Sequence, residues 1–151
     1  MLSAVVSSLH LLALAIGLPA VFLRGLALRG RLDAEGLRRL LAADNAWGIA
    51  AVLWIVTGLL RAFAGLEKGT DFYLRSPLFW VKMGLFVAII VLEIRPMVTF
   101  LRWRVRLGRG EQPDTSGARA LYTLNHIEMA LVVVMVFVAS LMARGVGFSP
   151  E

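Results

Sequence analysis

Residues 76–96, SPLFWVKMGLFVAIIVLEIRP, place two ionisable side chains inside an apolar run long enough to cross a bilayer. A spanning helix needs about 20 apolar residues at about 1.5 Å of rise each, and this stretch meets that length. It nevertheless holds Lys82 and Glu93. At helical spacing Lys82, Phe86, Ile89 and Glu93 follow i, i+4, i+7 and i+11, so they line one stripe. Charge facing hydrocarbon is costly, so the stripe must point at other helices, a cofactor or water.

Three further apolar runs accompany it, and spans are predicted at about 2–23, 44–63, 77–100 and 120–143. Hydrophobic residues make up 59% of the 151, too many for a soluble globule and about right for one integral membrane domain, residues 1–151. The predicted fold is all-α, a bundle of four transmembrane helices. The net charge of +6 comes from arginines clustered in the loops. There they set topology and meet anionic headgroups. The stacking aromatics and base-reading surface of a nucleic-acid binder are missing. With no cysteine there is no disulfide, thiolate metal site, iron–sulfur cluster or covalent c-type haem. The first run lacks a basic start and a small-residue cleavage site and reads as a retained helix.

The first span carries Ser3, Ser7, His10, Ala13 and Gly17 on one small or polar face, and the second carries Asp44, Gly48, Ala51, Ile55 and Gly58. Such faces let helices approach closely, within one chain or across a homodimer. Pro19 is expected to kink the first span, and Pro96 the third, with Arg95 pushed out of helical geometry. Asp33 is a predicted N-cap of a short interfacial helix whose Leu37, Leu40 and Leu41 oppose Arg38 and Arg39. Ser76 and Pro77 suit the N-cap and N1 of the third span, and Thr115 or Ser116 the cap of the fourth. Phe72, Tyr73 and Trp80 suit an interfacial aromatic belt. Arg24, Arg29, Arg31, Arg38 and Arg39 follow the first span, and Arg102, Arg104, Arg106, Arg109 and Arg119 the third. The middle loop has only Arg61, Lys68 and Arg75. The positive-inside rule then puts both termini on the non-cytoplasmic side.

Helical rise sorts the polar residues by depth. From the outer surface, Lys82 lies at about 6 Å and His10 at about 12 Å, with Glu93 and Glu128 near 22 Å and Arg95 and His126 near 25 Å. Asp44, Asn45 and Asn125 join that inner layer. Arg95 and His126 are the nearest expected partners for the buried acids. Lys82 and Arg95 could also reach headgroups along their long stems, and His10 could simply bond across helices. The two histidines, about 13 Å apart in depth, should not ligate one iron. No HExxH, GxSxG, P-loop or GxGxxG motif is present.

LHLLALAIGLPAVFLRG, ADNAWGIAAVLWIVTGLLRAF, GLEKGT, SPLFWVKMGLF, LEIRPMVT and MARGVG together resemble an uncharacterised bacterial family of small four-span predicted membrane proteins, nearly end to end. More distantly the chain is similar to the HemJ-type protoporphyrinogen oxidases and the cytochrome b-like copper-resistance membrane proteins. Leu9-His10, Gly17 and Arg24 in the first helix, Trp80 and Lys82 in the third, and Leu124-Asn125 in the fourth carry that similarity. The resemblance implies a multi-pass protein of the bacterial cytoplasmic (inner) membrane, with His10 as the haem b ligand and metal ligand. Lys82 would anchor a propionate or an anionic substrate, with Trp80 beside the cofactor. The chain departs from the pattern at Asn125-His126-Ile127-Glu128, where that group has Asn-Glu-x-Pro, and at Ala143-Arg144-Gly145, where it has Lys-Pro. The expected function is that of a haem-binding redox protein or oxidase working on a porphyrin or quinol, with Lys82, Glu93 and Glu128 in catalytic or proton-relay roles. The alternatives are a small proton or ion transporter, or an assembly partner of another membrane complex.

Overall fold

The computed structural model describes residues 1–65 and 70–146, without the side chains of Asp71 and Phe72. Lys68, and Phe72 as part of an aromatic belt, therefore lie outside the described residues. Among the described residues five helices follow in order: α1 (Leu2–Arg29), α2 (Ala34–Phe63), α3 (Thr70–Arg75), α4 (Pro77–Gly108) and α5 (Ala118–Ala143). Four of them are long and apolar enough to span a bilayer, and no strand occurs among the described residues. The chain is an all-α bundle of four membrane-length helices. Because α1, α2, α4 and α5 alternate in direction, the start of α1 and the end of α5 share one end of the bundle, the terminus end. The arginine-bearing connections share the other.

The helices extend further into the loops than hydropathy alone indicates. Asp33 caps α2, its side chain accepting from Gly36 N–H, as expected. The helix it starts is not a separate interfacial one. Nothing between Arg38 and Asp44 breaks helical geometry, so it runs straight into the second span. Leu37 and Leu40 are buried in a cluster with Leu28, Phe100, Trp103 and Leu121 that closes the arginine end. Likewise α4 continues unbroken through Arg95 and Pro96, so Arg95 stays helical. A single proline removes one intrahelical bond, here to the carbonyl of Leu92, and the remaining turns hold the helix. α1 runs on through Pro19 in the same way. Pro77 does open α4 after Ser76, although the Ser76 side chain makes no cap bond. α5 is capped by Gly117 rather than Thr115 or Ser116. Asp114 takes the Ser116 backbone N–H instead, at 2.9 Å, which holds its carboxyl below the usual range.

α1 packs most intimately on α2. A Cβ at Gly17 would stand 3.2 Å from Ala50 Cβ and 3.3 Å from the Trp47 ring. The α1 face read from the sequence is therefore occupied within the chain. The buried face of α2 includes Leu40, Ala43, Trp47, Ala50 and Thr57, and the predicted face is met in part: Asp44 reaches Arg24, and a Cβ at Gly58 would stand 3.5 Å from His10. Gly48 has nothing within 4 Å of a built Cβ, and Ile55 is exposed. The reason is volume: Gly17 leaves a hollow that Trp47 fills, whereas Gly48 would offer a hollow to no knob.

Two glycine substitutions distinguish these faces. Gly17→Leu overpacks the α1–α2 contact and is expected to destabilise the bundle by about 1–3 kcal/mol. Gly48→Ala adds a methyl in open space and removes backbone freedom, a gain of about 0.5–1 kcal/mol. Thermal unfolding in detergent reads both, and equal effects would contradict the packing described.

Candidate functional site

Polar groups gather at two levels of the bundle. Towards the arginine end, the Arg24 side chain is wholly buried on α1. Its five N–H groups are all engaged. Nε donates to Asn125 Oδ1 at 2.7 Å. Nη1 donates to Asp44 at 3.2 Å and Glu93 at 2.7 Å, and Nη2 to Glu93 at 2.9 Å and Glu128 at 2.5 Å. A guanidinium has five donors in a rigid plane, and here each meets an acceptor. Asn125 is oriented by its own amide, which donates to Val21 O at 2.9 Å. The Arg24 cation also lies 5.8 Å from the centre of the Trp47 ring and 5.9 Å from that of Phe100. Asp44 takes a second cation, Arg104, at 2.7 Å. One side chain thus ties α1 to α2, α4 and α5.

Asp44, Glu93, Asn125 and Glu128, expected at one depth, do meet around Arg24. The partners expected for the acids stand elsewhere. Arg95, expected to meet the buried acids, is exposed on α4 and lends its carbonyl to Thr99. His126 bonds Tyr122 O through Nδ1 at 2.9 Å and packs on the Tyr122 ring instead. Asn45 is exposed. Arg24, which the arginine count puts after the first span and the resemblance puts in the first helix, lies within α1, seven residues after Gly17 on the same helical face.

The second level lies nearer the terminus end, where a cavity of about 400 Å³ opens between α1, α2, α4 and α5. A volume of that size is in the range of small-molecule sites. His10 and Lys82, on different helices, both line it, with Trp54, Phe79, Met83, Phe86 and Met135 among its walls. α3 docks at this end through Tyr73, which packs with Ala62, Phe79 and Met142. Trp80 is not drawn in: it is 57% exposed, and its indole N–H donates to Leu74 O at 3.0 Å.

The tautomer of His10 follows from its neighbour. Thr57 Oγ1 lies 2.6 Å from Leu53 O and 2.8 Å from His10 Nδ1. A hydroxyl has one proton, and a carbonyl can only accept, so that proton goes to Leu53 O. His10 Nδ1–H must then donate to Thr57, and in the neutral ring Nε2 is the unprotonated nitrogen. His126 belongs to the other level, its ring 3.3 Å from a Cβ built at Gly25. Gly25 follows His10 by fifteen residues of α1, about 22 Å. The two histidines stand in different sites. Among the described residues no group of three or more His, Cys, Asp or Glu side chains could hold a metal ion.

Removing Arg24 leaves buried carboxylates without a cation. Arg24→Ala is expected to cost about 3–5 kcal/mol. Arg24→Lys should recover little of that, because an ammonium cannot reproduce five planar donors. Gly25→Ala, whose Cβ would lie 2.7 Å from Asn125 Nδ2, should also destabilise. Arg95→Gln should leave unfolding in detergent almost unmoved. A destabilising Arg95→Gln beside a harmless Arg24→Ala would reverse the assignment.

Comparisons with curated proteins and with solved structures find no match to this chain. A family model does match it, over residues 2–147, nearly the whole length. Four membrane-length apolar helices agree with the description which that family carries. The chain belongs to the family of predicted membrane proteins designated DUF2214.

Proposed function

We propose that this integral membrane protein binds a flat, largely apolar, carboxylate-bearing group in the terminus-end cavity, haem b in the first instance, and works as a redox protein on a porphyrin or quinol. One observation carries the reading: His10 and Lys82 line the same apolar cavity. The residues fit such a group. Thr57 fixes the His10 ring through Nδ1, so Nε2 is the nitrogen that would bind the metal, the second-neighbour arrangement that metal-bound histidines use. Lys82 supplies an ammonium for a propionate carboxylate. Met83 and Met135 add thioethers to the wall, a known partner for His at haem iron. His126 takes no part, being a site away.

When bound, the group supplies one-electron transfer at its iron. The chain's own residues orient it, neutralise its acid edge and keep water from its faces. The arginine distribution supports a cavity toward the non-cytoplasmic surface, with both termini on that side of a bacterial cytoplasmic membrane. The distant similarity to HemJ-type oxidases and to the copper-resistance membrane proteins supports His10 and Lys82 in these roles. An expected homodimer would need a surface other than the α1 face that Trp47 and Ala50 occupy.

A second reading, a small proton transporter, draws on Glu128. Its Oε1 is buried, and no donor among the described residues reaches it. Proton flux into liposomes that is abolished by Glu128→Gln and kept by His10→Ala would favour this reading over the first.

The spectrum of the purified protein tests the haem reading directly. Expressed with ample haem and purified in detergent, the protein should show a Soret band that His10→Ala removes and His126→Ala keeps. Thr57→Val should weaken haem retention about 10–100-fold, as loss of a ligand's hydrogen-bond partner does at other metal sites. A colourless protein under those conditions overturns the proposal.

A further inference from the structure

A groove of about 650 Å³ follows the seam of α1 and α2 at the arginine end, on the outside of the bundle. Ala42 and Ala46 on α2 line it with Pro19, Ala20, Leu23 and Leu26 on α1. It begins at Ile16 and ends at Gly30 and Arg31. Fourteen steps of α1 span about 21 Å. One leaflet contributes about 15 Å of hydrocarbon, so the groove reaches from mid-membrane to the headgroup layer.

Its polar end is cationic. Arg31 and Arg39 both line it, and the Arg39 side chain is 68% exposed. The nearby acids are largely engaged. Asp33 accepts the Gly36 N–H, and Glu35 holds Arg38 at 2.7 Å while standing 3.9 Å from Arg39. Two guanidiniums at the headgroup level, above an apolar channel one leaflet deep, match one kind of molecule in charge and in length. A second copy of the chain fits less well, because a two-fold axis along the membrane normal would set Arg31 and Arg39 of both copies at one depth against each other.

We propose that this seam is a binding site for a single anionic phospholipid. An acyl chain lies along the small-residue channel, and the phosphate sits between Arg31 and Arg39, where guanidinium forks suit its paired oxygens. The site is independent of the terminus-end cavity, so its fate does not decide that of the haem reading.

Native mass spectrometry of the full-length protein, released from mild detergent with phosphatidylglycerol or phosphatidylcholine of the same chains, tests it. One phosphatidylglycerol should be retained per protein, and phosphatidylcholine should not. Arg31→Gln with Arg39→Gln should lower that retention about thirtyfold, since each basic residue at an anionic surface contributes about a fivefold preference. Ala42→Leu keeps both arginines and fills the channel, and should lower retention too; Ala46→Leu serves if the first does not fold. Arg102→Gln with Arg106→Gln removes the same charge from the end of α4 and should change little. Equal retention of the two lipids, or an equal loss in the Arg102 and Arg106 variant, would reduce the site to diffuse surface charge. Undiminished binding in the channel-filling variants, or competition by inorganic phosphate alone, would mean headgroup capture without a groove. A dimer that Ala42→Leu converts to monomer would mean a second copy lies there.

Discussion

The fold turns on one buried guanidinium. Lipid tails are as apolar as leucine, so helices in a membrane gain little by hiding their apolar faces from it, and close packing and polar contacts must set their arrangement. Arg24 supplies the polar part. A cation inside a membrane-length helix is tolerable only if its partners are complete, and here five bonds reach Asp44, Glu93, Asn125 and Glu128 on three other helices. A rotation of α4 or a one-residue slip of α5 would strand at least one charge. The network therefore specifies register, which apolar side chains on these helices could not do alone.

Closure at one end has a consequence at the other. Around Arg24 the bundle is drawn tight, with Phe100 and Trp103 of α4 packed against Leu37 and Leu40 of α2. Toward the terminus end, where Ala62, Tyr73, Phe79 and Met142 form a smaller cluster, the helices leave the cavity lined by His10 and Lys82. The interval of about 22 Å between His10 and Gly25 on α1 separates a packed ionic layer from a hollow apolar one. The stripe that first marked α4 is thus divided: Lys82 lines the cavity, and Glu93 belongs to the clasp.

Much of this was legible in the sequence, for identifiable reasons. Length and apolarity give the four helices, and helical rise brings Glu93, Glu128, Asp44 and Asn125 to one depth, because rise per residue hardly varies. What rise cannot give is rotation between helices. The contacting face of α2 is set by Trp47 filling the hollow at Gly17, a fact of shape with no periodic signature. Arg24 was hidden by a boundary convention: a hydropathy span ends where the first arginine appears, whereas the helix runs on to Arg29. Prolines misled in the same way. A local rule places a break at Arg95, but a long, well-packed helix absorbs one missing bond, and α4 passes through it.

The two polar layers differ most in how complete they are, and completeness separates architecture from function. Arg24 has no donor left for a ligand, and Asn125 has committed both its oxygen and its amide nitrogen; such a cluster leaves a substrate little to replace. Glu128 Oε1 is the loose end, a buried side-chain oxygen without a hydrogen-bond partner among the described residues. The terminus-end layer has the opposite character. Its histidine is pinned on one nitrogen by a threonine whose own proton is already committed to Leu53 O, so the ring is held in one tautomer within an apolar wall. A hydrogen bond across two helices is enough to hold the ring this way, and on the reading proposed above the same pinning would orient a ligand.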